Sequence, residues 1–134
     1  MTARIRRVAM TEPARDVLRR MIEQHGPVLL HRAGPCEEGS SPVCLPVRGF
    51  QAEPSDVLLG YLPWHTEFWI GGERTARWKH THFTVDVAAG RGADSSLESG
   101  DGVRFVLRAR PLTEEENTVL AAAPPPRTGA DPAG

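Results

Sequence analysis

The sequence predicts an α+β domain, with an N-terminal helix packed on a small, mainly antiparallel β-sheet that can curl into a barrel. Three observations carry this. Thr11 to Gln24 has the apolar spacing of a helix. Five or six later stretches are short and β-rich. Turn formers are frequent, with Gly 13 and Pro 12 among 134 residues, as many short connections require.

Arg4 to Met10 alternates loosely and is expected to be a short strand. Thr11 can cap the helix that follows, Glu12 suits its first turn, and Pro13 fits near its start, where a missing N–H does no harm. Ala14, Val17, Leu18, Met21 and Ile22 then fall at i, i+3, i+4, i+7 and i+8, one stripe facing a core. Gly26-Pro27 stops the helix. Val28 to Arg32 reads as a buried strand, and Ala33 to Pro46 as a loop holding both cysteines. Asp56 to Leu62 and Thr66 to Ile70 read as strands, the second ended by Gly71-Gly72. Glu73 to Lys79 is polar, a helical turn or an excursion. His80 to Ala88 has period two, with Phe83, Val85 and Val87 on one face and His80, His82, Thr84 and Asp86 on the other. Gly90 to Asp94 is a loop. Ser96 to Ser99 and Val103 to Arg110 read as a hairpin about Gly100-Asp101-Gly102, with Val103, Phe105 and Leu107 inward and Arg104, Val106 and Arg108 outward. Thr113 to Ala123 is a short acidic helix ended by Pro124-Pro125-Pro126. Residues 1–123 are thus expected to form one domain and residues 124–134 a disordered tail.

Composition excludes some functions. Lys+Arg 16 against Asp+Glu 17 gives a net charge of −1, so a generally basic nucleic-acid binder is not expected. No apolar run is long enough for a membrane helix. The opening residues have basic side chains but no apolar signal core, which points to the cytoplasm. Thiols stay reduced there, so Cys36 and Cys44 are expected to be free thiols, metal ligands or a redox pair rather than a permanent disulfide.

The loop Gly34-Pro35-Cys36-Glu37-Glu38-Gly39-Ser40-Ser41-Pro42-Val43-Cys44 is the most distinctive segment. Its cysteines can meet across a compact loop and thiolates are soft ligands for zinc or iron, although the spacing matches no zinc knuckle. In a strand, His80 and His82 project from one face, where two imidazoles can share a metal with Asp86 behind them. Cys36, Cys44, His80 and His82 form the candidate metal site. The blander readings are packed thiols and a solvated polar face. His31 and His65 are lone histidines, either ligands or structural residues. Trp64, Trp69 and Trp78 either line an apolar pocket or fill the core. Arg104, Arg108 and Arg110 can hold an anion or form a solvated face. No nucleotide fingerprint, Walker loop or nucleophile elbow is present.

Taken in order, His25-Gly26-Pro27, Gly34-x-Cys36, Gly39-Ser40-Ser41-Pro42-x-Cys44, Asp56-Val57-Leu58-Leu59-Gly60, Trp78-x-His80-Thr81, Asp86-Val87, Gly90-Arg91-Gly92 and Ser96-Leu97-Glu98-Ser99-x-x-Gly102-Val103-Arg104-Phe105 resemble a bacterial family, domain of unknown function seven-seven-nine. The resemblance runs from Val8 to Glu116. It implies an association with aldehyde dehydrogenases, beside which members are often encoded, and so an aldehyde dehydrogenase or related oxidoreductase as partner. This chain lacks the length and nucleotide motif to be such an enzyme. Glu37 stands where the family usually has a second cysteine. A fainter architectural similarity links Thr11 to Gly39 and Ser96 to Val106 with A-type iron–sulfur carriers, whose C-terminal cysteine pair is missing here.

Three functions follow as expectations. The first is an accessory protein, metal-binding or redox-active, serving aldehyde oxidation. The second is a metal-free binding or regulatory module that meets a partner enzyme or small ligand through the Trp-rich region. The third is a small cysteine–histidine enzyme; the chain is expected not to be an enzyme on its own. An exposed strand edge makes a homodimer plausible.

Overall fold

In the computed structural model, the described residues are 5–33, 36–71, 77–90, 92 and 96–131. Helix α1 (Glu12–His25) forms where the apolar stripe predicts it. The Thr11 hydroxyl accepts from the Ala14 N–H at 3.3 Å and donates to Asp86 at 2.9 Å, so the cap also fastens the helix to the sheet beside it. Gly26, at φ 78°, ends the helix with its N–H on the Ile22 carbonyl, a backbone angle that suits glycine. Ala14, Val17, Leu18 and Met21 are buried and Ile22 partly so.

The strands are β1 (Val8–Met10), β2 (Val28–Arg32), β3 (Val43–Pro46), β4 (Val57–Leu62), β5 (Thr66–Ile70), β6 (Thr81–Ala89) and β7 (Val103–Pro111). They form two sheets, ordered β1-β6-β7 and β3-β2-β5-β4. The ladders β2–β3, β4–β5 and β6–β7 are antiparallel, whereas β1–β6 and β2–β5 are parallel. The architecture is α+β, as expected, and the sheets do not close into a barrel. Helix α2 (Glu114–Ala122) carries a full capping box between Thr113 and Glu116, which satisfies two backbone N–H groups at its start.

The main core lies between the two sheets and α1 and includes Val8, Leu18, Met21, Leu30, Phe68, Ile70, Phe83, Val85, Phe105 and Leu107. A smaller cluster of Leu29, Leu58 and Trp69, backed by Phe50, covers the other face of the four-stranded sheet. Cover on both faces explains the unbroken apolar run at Val57–Leu59. The sheets meet at Gly60, where β4 shifts register; a Cβ there would stand 2.8 Å from the Val8 side chain. Only a residue without a side chain lets β1 approach β4 so closely.

Four local expectations are corrected. Cys44 lies in strand β3, not in a loop, because residues 43–46 pair with β2. Ser96–Ser99 is not a strand: Leu97–Asp101 is a 3-10 turn, and β7 takes β6 as its hairpin partner. Val106 is buried despite its outward alternation, on an edge where Gly39 and Ser40 hydrogen-bond to Leu107. His80 closes the 3-10 turn Arg77–His80 before β6 begins. Beyond α2, the Arg127 carbonyl accepts from Leu58 N–H at 2.8 Å, the Gly129 N–H donates to Asp56 at 2.9 Å, and Thr128 bridges Val57. The sequence offered no reason for this contact with the β4 edge. Residues 73–76, 91, 93–95 and 132–134, which carried parts of the predicted excursion, loop and tail, lie outside the described residues.

Candidate functional site

The four residues of the expected metal site have separate roles. Cys36 and Cys44 are buried in the main core and are not joined in a disulfide. Burial, with Glu98 nearby, pushes the Cys44 thiol up to about 12, so at neutral pH it is neither a nucleophile nor a ready ligand. His80 is exposed, its Nδ1 3.3 Å from the Asn117 side-chain oxygen on α2. His82, half-buried on β6, faces Arg110 across the ladder; burial first, then the Arg110 charge, lowers its pKa. Among the described residues no three His, Cys, Asp or Glu side chains converge as a metal-holding group. Asp86, proposed to support a metal ligand, instead accepts from Thr11 and from the Val87 N–H, contacts that hold its carboxyl below the usual range.

The remaining polar candidates are also engaged. Arg104 donates to the Ala89 carbonyl, Arg108 pairs with Glu38 and Asp86, and Arg110 forms a two-pronged pair with Glu116 at 2.8 and 3.0 Å. That pair and the Thr113 N–H hold the Glu116 carboxyl at about 2. His31 lies 3.2 Å from buried Asp56. Trp69 and Trp78 fill space, at 4% and 8% exposure.

Sequence reasoning passed over one buried polar knot. Glu98 is 1% exposed. Its carboxyl accepts a short hydrogen bond from the Ser96 hydroxyl and a 3.2 Å bond from the Phe105 N–H, while the same hydroxyl accepts from the Cys44 N–H at 2.8 Å. The knot ties β3, the turn at residues 97–101 and β7 together. Its role is structural, because Ser96, Phe105 and Cys44 all belong to the scaffold.

Trp64 is different. The β4–β5 hairpin turns through Pro63–His65, and both Trp64 and His65 have φ of 60°. Tight hairpins usually place Gly, Asn or Asp at such angles, since a bulky side chain there is strained. The turn leaves Trp64 49% exposed and stacks His65 on Tyr61 at 4.2 Å between ring centroids. The Arg15 guanidinium lies over the Trp64 ring at 5.2 Å.

Beside this turn is a groove of about 690 Å³, within the range of ligand sites. Its floor is β4, one wall is residues 5–8, and the other is Leu120, Pro124, Pro126 and Arg127. Arg6, Arg7, Arg127 and His65 line it, and among the described residues no carboxylate does. Arg7 is spoken for by neutral groups, the Lys79 carbonyl and the Trp78 ring. The Arg127 Nε is buried with no hydrogen-bond partner. The Trp cluster pointed toward this site through Trp64 alone. Arg127 and Tyr61 were missed because Arg127 comes from a segment expected to make no contacts.

Fold and site together define a small α+β domain with a polar knot in its core and an open, cation-lined groove on its surface. The chain belongs to the family described as Domain of unknown function (DUF779), whose model matches residues 17–111. No curated protein and no solved structure matches it. No helix among the described residues is long and apolar enough to cross a membrane.

Proposed function

We propose that this chain is a binding module whose ligand seat is the groove beside Trp64, acting as an accessory to a partner enzyme rather than as a catalyst. The observation that carries this reading is the hairpin turn at Trp64-His65. Two bulky residues hold left-handed backbone angles there, a conformation that costs free energy and is concentrated at functional sites. The result is an indole held out over a groove instead of packed in the core. The high proton affinity of the Cys44 thiol speaks against a thiolate mechanism. A metal-dependent role for Cys36, Cys44, His80 and His82 has less support, since among the described residues no three His, Cys, Asp or Glu side chains converge as a metal-holding group.

The test is an NMR screen of the full chain, labelled with nitrogen-15, against small aromatic fragments. Shifted amides should cluster at residues 58–65 and 127–129. Shifts clustering on the β6–β7 face, or none at all, would refute the groove as the seat. Elemental analysis of protein purified without a histidine tag checks the metal-dependent alternative in parallel.

A further inference from the structure

We infer that the groove selects a small organic anion, an apolar or aromatic body carrying one carboxylate, with Arg127 as the residue that receives the charge. This rests on the groove being the ligand seat. Three guanidiniums line the cavity and, among the described residues, no acidic side chain does, in a chain whose net charge is −1. Elsewhere on the surface the arginines that sequence analysis singled out are neutralised or bonded: Arg108 by Glu38 and Asp86, Arg110 by Glu116, Arg104 by a carbonyl. Arg6, Arg7 and Arg127 form no ion pair among the described residues.

Arg127 is the sharpest of the three. A buried N–H without an acceptor costs free energy, and a guanidinium presents its donors in a flat fork that matches a carboxylate. The backbone of Arg127 is pinned by its carbonyl bond to Leu58, which places the residue at the groove wall. Ile5, Leu120 and the prolines supply apolar wall, and Trp64 an exposed aromatic edge. A ligand of only one character would leave half of this lining unused. Phosphate shares the charge but not the body, and a neutral arene the body but not the charge.

Isothermal titration calorimetry on the full chain separates these cases with three probes: naphthoate, naphthamide and inorganic phosphate. Naphthoate is expected to bind at least about tenfold more tightly than either of the others, the scale of one charge-assisted contact. Arg127→Gln should bring naphthoate down to the level of naphthamide and leave naphthamide within about twofold, at unchanged melting temperature. Arg6→Gln, a second charge removal at the same cavity, should give a smaller loss in the same direction. Equal binding of naphthoate and naphthamide, or a preference that survives Arg127→Gln, overturns the inference while the groove reading stands. Phosphate binding as tightly as naphthoate overturns the apolar half. If no probe binds and the fragment screen also misses the groove, both readings fail.

Discussion

Replacing Glu98 by alanine tests the buried knot directly. The carboxyl is shielded from water and accepts from the Ser96 hydroxyl and the Phe105 N–H. Alanine leaves both donors without an acceptor in a dry site. Each orphaned group costs about 1–3 kcal/mol, and the loss of packed side-chain volume adds to it. The two orphaned donors alone give an expected destabilisation of about 2–6 kcal/mol, a large part of the stability of a domain this size. Urea unfolding, followed by intrinsic tryptophan fluorescence, should show a lower midpoint with an unchanged slope. Glu98→Gln keeps the shape and one acceptor oxygen, so it should fall between wild type and Glu98→Ala. A Glu98→Ala protein within about 0.5 kcal/mol of wild type, the range of an ordinary surface change, would refute the reasoning, because the bonds would then be worth no more than their exchange with water.

Three further outcomes follow from the same structure. In a Cys36→Ser variant the remaining thiol, Cys44, should react with a thiol reagent only on unfolding, and a fast native reaction at pH 8 would contradict its burial. Because the native Cys44 thiol keeps its proton toward about 12 while the unfolded one releases it from about 9, stability should decline as pH rises through that window, and Cys44→Ala should flatten the decline. Truncation after Ala123 removes the backbone bonds from Arg127 and Gly129 to β4, at a cost of about 1–3 kcal/mol; a melting temperature equal to that of the full chain would show that this contact contributes nothing.

Local chemistry made much of the fold legible. The Thr11 cap, the stripe at Val17, Leu18 and Met21, and Gly26 specify α1 within its own few residues, and the alternation at Phe83 and Val85 specifies β6 in the same way. The failures are all long-range. Residues 43–46 carry two prolines' worth of loop character at their borders, and become strand β3 only because β2 offers an unpaired edge. Val106 alternates outward and is buried by the arrangement of segments far away in sequence. The Ser96–Ser99 stretch was familiar as a motif, yet its purpose depends on Cys44 and Phe105 meeting it in space. The groove was half visible: three tryptophans stood out, but nothing local distinguishes the exposed Trp64 from the buried Trp69 and Trp78. Arg127, beyond a run of prolines, gave no signal at all, because a buried Nε without a partner exists only once the chain around it has folded.

The turn at Trp64-His65 has a consequence for how variants of this protein will rank. Trp64→Gly would relax the backbone at a left-handed angle that disfavours a larger residue, since a non-glycine residue held in that region costs about 1–3 kcal/mol. A library sorted for heat resistance alone should therefore enrich substitutions at this turn, and the hardiest clones would be those that have discarded the exposed ring. On the proposed reading of the groove, thermal robustness and ligand capture pull in opposite directions at this hairpin, so a screen for either property should be read together with the other.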